Sequence, residues 1–150
     1  MAFWLMKSEP TTYSIDDLIA EQETLWDGVR NYQARNFLKQ MVVGDRAFFY
    51  HSNCKPPAIV GLMTITASLV VDPTQFDHKS AYFDPKATPE VPRWLTVKAK
   101  FTEKFPHPLD LPFLKTQFSP EELLVVKKGN RLSVLPVAIP TAERLLKLAC

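Results

Sequence analysis

The chain has 150 residues, 46% apolar and 23% charged, with a formal net charge of +2. That length suits one domain, residues 1–150, with a respectable core, and that balance excludes a disordered chain. The small net charge excludes a protein that coats nucleic acid by bulk electrostatics, but not a pocket that reads one base.

Thirteen prolines against four glycines point to fixed connections rather than flexible linkers. Cys54 and Cys150 have no metal or redox spacing, so a reducing compartment is the default reading. The opening Met1-Ala2-Phe3-Trp4-Leu5-Met6 lacks a charged n-region and is too short a run for a signal peptide. Ala58 to Val71 is too short and carries too many hydroxyls to span a bilayer. No membrane contact and a cytoplasmic location are expected. The lack of a basic import cluster favours a bacterial cytoplasm.

In chain order, Phe3-Trp4-Leu5-Met6 reads as a first strand that Glu9-Pro10 ends. Ser14 and Asp17 make a capping box for a short helix, with Tyr13 placed to staple to Leu18. That helix yields to the polar Glu21-Gln22-Glu23-Thr24. Gly28 then supplies a turn, and Asn31 is a candidate N-cap. Ala34, Phe37, Leu38 and Met41 form one apolar stripe, so a second helix is predicted, ending near Gly44. Arg46 to Tyr50 is an aromatic strand, with His51-Ser52-Asn53 at its end. Ile59 to Val71 is a long strand or a bent pair, with Met63, Ile65, Ala67 and Leu69 on one face. Gly61 marks a bulge or a close approach.

Asp72 to Pro92 reads as a loop of about twenty residues, a length that is usually functional or wrapped over the surface. Leu95, Val97, Ala99 and Phe101 alternate with polar residues. The parity of that strand puts Trp94 away from the main core. Pro106 to Pro112 reads as a connector. Ser119-Pro120-Glu121-Glu122 is the strongest helix start in the chain, closed by Lys127, Lys128 and Gly129. A last strand at Leu132 to Leu135 and a last helix from Pro140 complete the series, with Ala142, Leu145, Leu146 and Ala149 on the buried face of that helix. Strands separated by short helices, without repeats, indicate α+β with a mixed or antiparallel sheet. About five strands with several bends fit a small, partly closed barrel.

Few catalytic patterns survive inspection. His51 and Ser52 are sequence neighbours, so in a strand their side chains point apart. His78 and His107 lie in Pro-rich loops without a nucleophile elbow. Asp72, Asp77, His78 and Asp84 match no zinc or calcium spacing, and local turn bonding accounts for them. No phosphate loop occurs. More distinctive is Trp26-Asp27-Gly28-Val29-Arg30-Asn31-Tyr32-Gln33-Ala34-Arg35-Asn36, which joins aromatics, arginines and amides at a turn and a helix start. A helix N-terminus suits an anion, and an aromatic face beside amides suits a flat, polar-edged ligand. Trp26 and Trp94 then read either as an aromatic cage or as core. Arg30 and Arg35 pair either with a ligand or with Asp27 and Asp45. Lys7-Ser8 and Ser52-Asn53 are polar pairs at strand ends.

These stretches carry a resemblance. Trp4-Leu5-Met6-Lys7-Ser8-Glu9-Pro10, the run Trp26 to Asn36, and Phe49-Tyr50-His51-Ser52-Asn53 resemble successive signature blocks of the EVE domain. Asp72-Pro73-Thr74-Gln75-Phe76, Pro92-Arg93-Trp94, and Arg131-Leu132-Ser133-Val134 with Pro136-Val137 match later blocks. The resemblance implies a PUA-like α+β fold: a bent, partly closed barrel of about five or six strands with short flanking helices. It also implies a non-enzymatic role without cofactor or metal. The ligand would be nucleic acid carrying a modified base, with modified cytosine in DNA favoured over RNA, and the chain is expected to be a monomer. On the matched positions, Trp26 would stack on the base. Asn31, Tyr32, Arg35 and Asn36 would shape the pocket or contact phosphate. Lys7, Ser8, Ser52 and Asn53 would line its rim, with Trp94 and Ser133 completing the wall. Val70-Val71-Asp72 departs from the family, which often carries an aromatic there, and bears on the pocket mouth. An RNA base as ligand, or catalysis on a modified nucleotide through Asp72, Asp77 or His78, are the alternatives.

Overall fold

The structure is a computed structural model describing residues 1–150. The elements run β1 (Phe3–Ser8), α1 (Ile15–Glu21), β2 (Glu23–Leu25), α2 (Tyr32–Gln40), β3 (Arg46–His51) and β4 (Ala58–Val71). A 3-10 turn at Pro73–Phe76 follows, then β5 (Leu95–Asp110), α3 (Leu111–Gln117), a 3-10 turn at Leu124–Val126, β6 (Val134–Val137) and α4 (Ile139–Ala149). The six strands form one mixed sheet in the order β2-β5-β4-β3-β1-β6. β1 and β3 are parallel and the other neighbours antiparallel. The edge strands β2 and β6 do not pair with each other, so the expected α+β sheet is present but not closed. No helix is long and apolar enough to cross a membrane.

Strand alternation explains why both faces of this sheet are covered. In β1, Phe3 and Leu5 enter one core, while Trp4 and Met6 enter the other. In β3, Phe48 and Tyr50 join the first, and Ala47 and Phe49 the second. Successive side chains point to opposite faces, so an unbroken apolar strand needs a layer on each side. Buried residues of α3 and α4 cover the first face, and those of α1 and α2 the second. Gly61 lies where β5 and α1 both press close on β4. A Cβ there would sit 2.6 Å from the Glu103 carbonyl oxygen and 2.8 Å from Cδ1 of Ile15 on α1. Pairing with β5 also slips beside it, between Ile59 and Gly61.

Several expectations are corrected. Ser119 and Glu122 do exchange the two capping bonds, 2.9 and 3.3 Å, yet no α-helix follows. Leu123, Val125 and Val126 are all buried in the first core. Burial at consecutive positions cannot be met by one helix face, and the segment becomes a 3-10 turn. The Pro106–Pro112 connector is instead the end of β5 and the start of α3. β2 pairs β5 only at Lys98, Ala99 and Lys100. Beyond them that side of β5 has no ladder partner, so Pro106 and Pro108 are tolerated. Asp110 caps α3 by accepting from the Phe113 amide at 2.9 Å. The polar run at Glu23 forms the edge strand β2. Leu69 leaves the face expected to hold it with Met63, Ile65 and Ala67: its φ is +53° and it is exposed, at the register slip between Ala67 and Val70. Helix α2 stops at Gln40, before Gly44, because the Asp45 carboxylate takes the Val42 amide at 3.1 Å and the Trp4 indole N–H at 3.0 Å. The last strand starts at Val134, two residues late.

Candidate functional site

A cavity of about 460 Å³ opens where β1 ends. Lys7 and Ser8 come from β1, Thr24 and Leu25 from β2, Trp26 to Arg30 from the turn into α2, Tyr82 from the long loop, and Ser133 from the approach to β6. Trp26 is fixed before any ligand arrives. Its amide donates to Val97 O at 3.0 Å, its carbonyl accepts from the Thr96 hydroxyl, and its ring packs edge-on against Phe49 at 5.5 Å. It is 7% exposed, so it is at once part of the second core and part of the cavity wall. Ser8 is committed as well, donating its hydroxyl to Tyr13 O at 2.6 Å.

Gly28 satisfies two demands at once. Its φ is +81°, and a Cβ would meet the Tyr82 ring at 2.7 Å. Glycine thus allows both the turn and the seating of Tyr82. The turn is held by Asp72, 1% exposed, which accepts from the Gly28 amide at 2.9 Å, from the Thr74 amide and hydroxyl, and from the Arg30 guanidinium at 3.1 Å. Burial pushes the Asp72 carboxyl up, but these bonds outweigh it and hold it below the ordinary carboxylate value. Asp27 moves the other way: desolvation first, then the negative charge of Asp72, raise it. Asp27 on the cavity lining and the buried Asp72 behind it are thus shifted in opposite directions.

The predicted site residues fall into three groups. Lys7, Ser8, Trp26 and Ser133 line the cavity. Ser52 and Asn53 line a second cavity of about 300 Å³, which shares Lys7 with the first. Asn31, Tyr32, Arg35, Asn36 and Trp94 line neither. Asn31 caps α2, accepting from the Ala34 amide at 2.9 Å. Tyr32 stacks on Trp94 at 5.0 Å, and Arg35 lies 4.8 Å from the Tyr32 ring while donating to Arg93 O and Asn36 Oδ1. Trp94 is buried but belongs to neither core, which agrees with its strand parity. Its indole donates to Asp84 at 2.7 Å, and the Arg30 guanidinium sits 5.0 Å above its ring. The two tryptophans therefore do not share one cavity; Arg30, which lines the first, packs on Trp94. Val70 and Val71 line neither cavity.

His51 Nε2 accepts from the Ile15 amide at 3.1 Å, and burial lowers its pKa. That nitrogen is occupied and cannot take a proton from Ser52. Asp77 and Asp84 accept from the Lys79 and Lys86 amides, the local turn bonds expected of them. Sequence reasoning missed Tyr82 as a wall residue and Gln75 as a structural one. Tyr82 gave no signal beyond being one of the aromatics in a loop too long to be a simple connection.

The family model described as the EVE domain matches residues 2–148. Thymocyte nuclear protein 1 of Mus musculus is 40% identical, over 97% of this chain and 73% of its own length. A crystal structure of a Pseudomonas putida protein superposes with a TM-score of 0.95 at 48% identity, covering 99% of this chain and 100% of that one. Human THYN1 protein, solved in complex with DNA containing 5-methylcytosine, superposes with a TM-score of 0.92 at 39% identity, covering 99% of this chain and 98% of that one. The shared fold is the PUA-like one that the resemblance implied.

Proposed function

The chain belongs to the EVE domain family, and from that premise we propose that it is a non-enzymatic reader, holding one modified base of a nucleic acid in the first cavity. A modified cytosine in DNA is the favoured ligand, ahead of an RNA base, and the chain acts as a monomer without cofactor. The carrying observation is the cavity itself: about 460 Å³, walled by Trp26, with Glu9 and Asp27 as acceptors and Lys7 as a donor on its lining. That volume lies in the range of small-ligand sites. A cytosine presents an amino donor and ring acceptors, which these two sets of groups complement. The DNA-bound structure of human THYN1 protein supports the ligand class. A base reaches such a wall only when flipped out or single-stranded.

In this reading Lys7, Ser8, Trp26 and Ser133 meet the base. Asn31, Tyr32, Arg35, Asn36 and Trp94 hold the frame around Arg30 and Tyr82. The test is a titration of matched oligonucleotides with and without 5-methylcytosine. Trp26→Ala is expected to remove discrimination and about 1–3 kcal/mol of binding, with circular dichroism showing that the fold survives. Asp27→Asn, a near-isosteric change at the rim, is the companion variant should the truncation unfold. Discrimination undiminished in both variants refutes the reading, and matched RNA strands decide the polymer.

A further inference from the structure

The second cavity differs from the first in charge. Its lining includes Lys7, Lys115, Lys127 and Lys128 and no carboxylate, whereas the first is lined by Glu9 and Asp27 as well as by cations. Four lysines and no carboxylate on the lining of one depression are a marked excess for a chain whose net charge is only +2. None of the four takes part in an ion pair: the pairs formed are Arg30 with Asp72, Arg93 with Asp84, Lys104 with Asp16 and Arg144 with Glu122.

Lys7 stands on the wall common to both cavities. It is half-buried, its pKa is lowered by desolvation, and its ammonium lies 5.9 Å from the centre of the Tyr50 ring. A cation that gives up water without gaining a carboxylate is poised for an anion. Lys115 stands on α3, and the loop carrying Lys127 and Lys128 is preformed. Asn130 donates to Leu124 O at 3.0 Å and accepts from the Leu132 amide at 2.9 Å. This fixes the chain around Lys127 and Lys128.

We propose that the second cavity is a phosphodiester track. The strand whose base enters the first cavity passes its neighbouring phosphates over Lys7 and along Lys115, Lys127 and Lys128. The assignment rests on the base-reader reading for its direction, since the seated base fixes where the next phosphate falls. The acid-lined cavity suits the donor edge of a base, and the acid-free one suits the backbone. Positioning by phosphate and specification by base are thereby divided between two adjoining depressions.

The test uses the whole chain and a single strand of about nine nucleotides, within the usual site size, with one central 5-methylcytosine or none. Affinity is measured across a salt series for the parent and for the Lys115→Gln, Lys127→Gln, Lys128→Gln triple variant. The slope of log affinity against log salt is expected to become shallower by about 2, from about 0.7 per single-strand phosphate contact. The ratio between modified and unmodified strands is kept, and the corresponding arginine variants restore the slope. An unchanged slope in the glutamine variant overturns the track, as does the absence of any strand binding by the parent. Polyglutamate competing as well as the unmodified strand also overturns it, in favour of an acidic peptide. A parent that shows the slope change but no discrimination between the strands supports the track and refutes the base reading alone.

Discussion

Gln75 makes four hydrogen bonds with one amide group. Its Nε2 donates to Asp72 O at 2.7 Å and to Trp94 O at 2.9 Å, and its Oε1 accepts from the Arg93 and Trp94 amides at 2.9 and 3.1 Å. The residue is fully buried, so none of these groups can turn to water instead. Replacement by leucine keeps the volume but removes the side-chain partner of the Asp72 carbonyl and of the Arg93 and Trp94 amides, while the Trp94 carbonyl keeps the Asp72 amide at 3.1 Å. Gln75→Leu is expected to lower stability by about 3 kcal/mol or more and to weaken base binding by loosening Tyr82; urea denaturation and an oligonucleotide titration read the two effects. Legibility at this scale follows sequence distance. Asn31 was readable because its partner, the Ala34 amide, lies within the same turn. Trp94 was placed outside the core by parity alone. Tyr82, Gln75 and the partnership of Asp72 with Gly28 were not readable, because their contacts cross some tens of residues and depend on a loop path that no local rule sets.

The elements were readable where one periodicity governed them and unreadable where two signals competed. α1 has its capping box, Ser14 with Asp17 at 2.8 and 3.1 Å, and a fitting apolar stripe, so it forms. Ser119 and Glu122 make the same local bonds, but Leu123, Val125 and Val126 must all reach the core, and packing prevails over propensity. β5 misled for the opposite reason: prolines that would end a central strand sit where it has no outer neighbour. Gly61 tests this level. Gly61→Ala sets a methyl group against the Glu103 carbonyl and the Ile15 side chain. The expected loss is about 1–3 kcal/mol from overpacking, seen as a lower urea midpoint. A midpoint equal to the parent's means that β5 and α1 yield without cost.

For the whole molecule, two buried carboxylates join distant parts of the chain. Asp45 accepts from the Ala2 amide, the Trp4 indole and the Val42 amide, tying the N-terminal strand to the turn before β3. Asp72 ties the cavity turn to the long loop. Burial raises both, and the hydrogen bonds outweigh it, so both stay below their ordinary value. A carboxyl depressed in the folded state stabilises it above the unfolded pKa, and that stability is lost as pH falls through the folded pKa. Asp27, which is raised, acts in the opposite sense, while Asp84 and Glu122, both lowered by hydrogen bonds first, act in the same sense as the two buried carboxylates. The urea midpoint is therefore expected to fall between about pH 5 and about pH 2; a midpoint that holds or rises there contradicts the assignment.

The Gln75 amide and the pairing of Val71 with Leu95 close the long loop at its base, as a buckle closes a strap. The span beyond the buckle, from Asp77 to Pro92, can then change length at little entropic cost, since doubling a loop adds only about 0.6 kcal/mol of closure entropy, provided Asp84 keeps its bonds to the Trp94 indole and the Gln75 carbonyl. Tyr82 rides on that span. The loop is therefore an exchangeable part: a graft between Asp77 and Pro92 retunes one wall of the cavity while the sheet and the Trp26 wall stay as they are. Diversification of ligand choice within this fold has a ready entry point there.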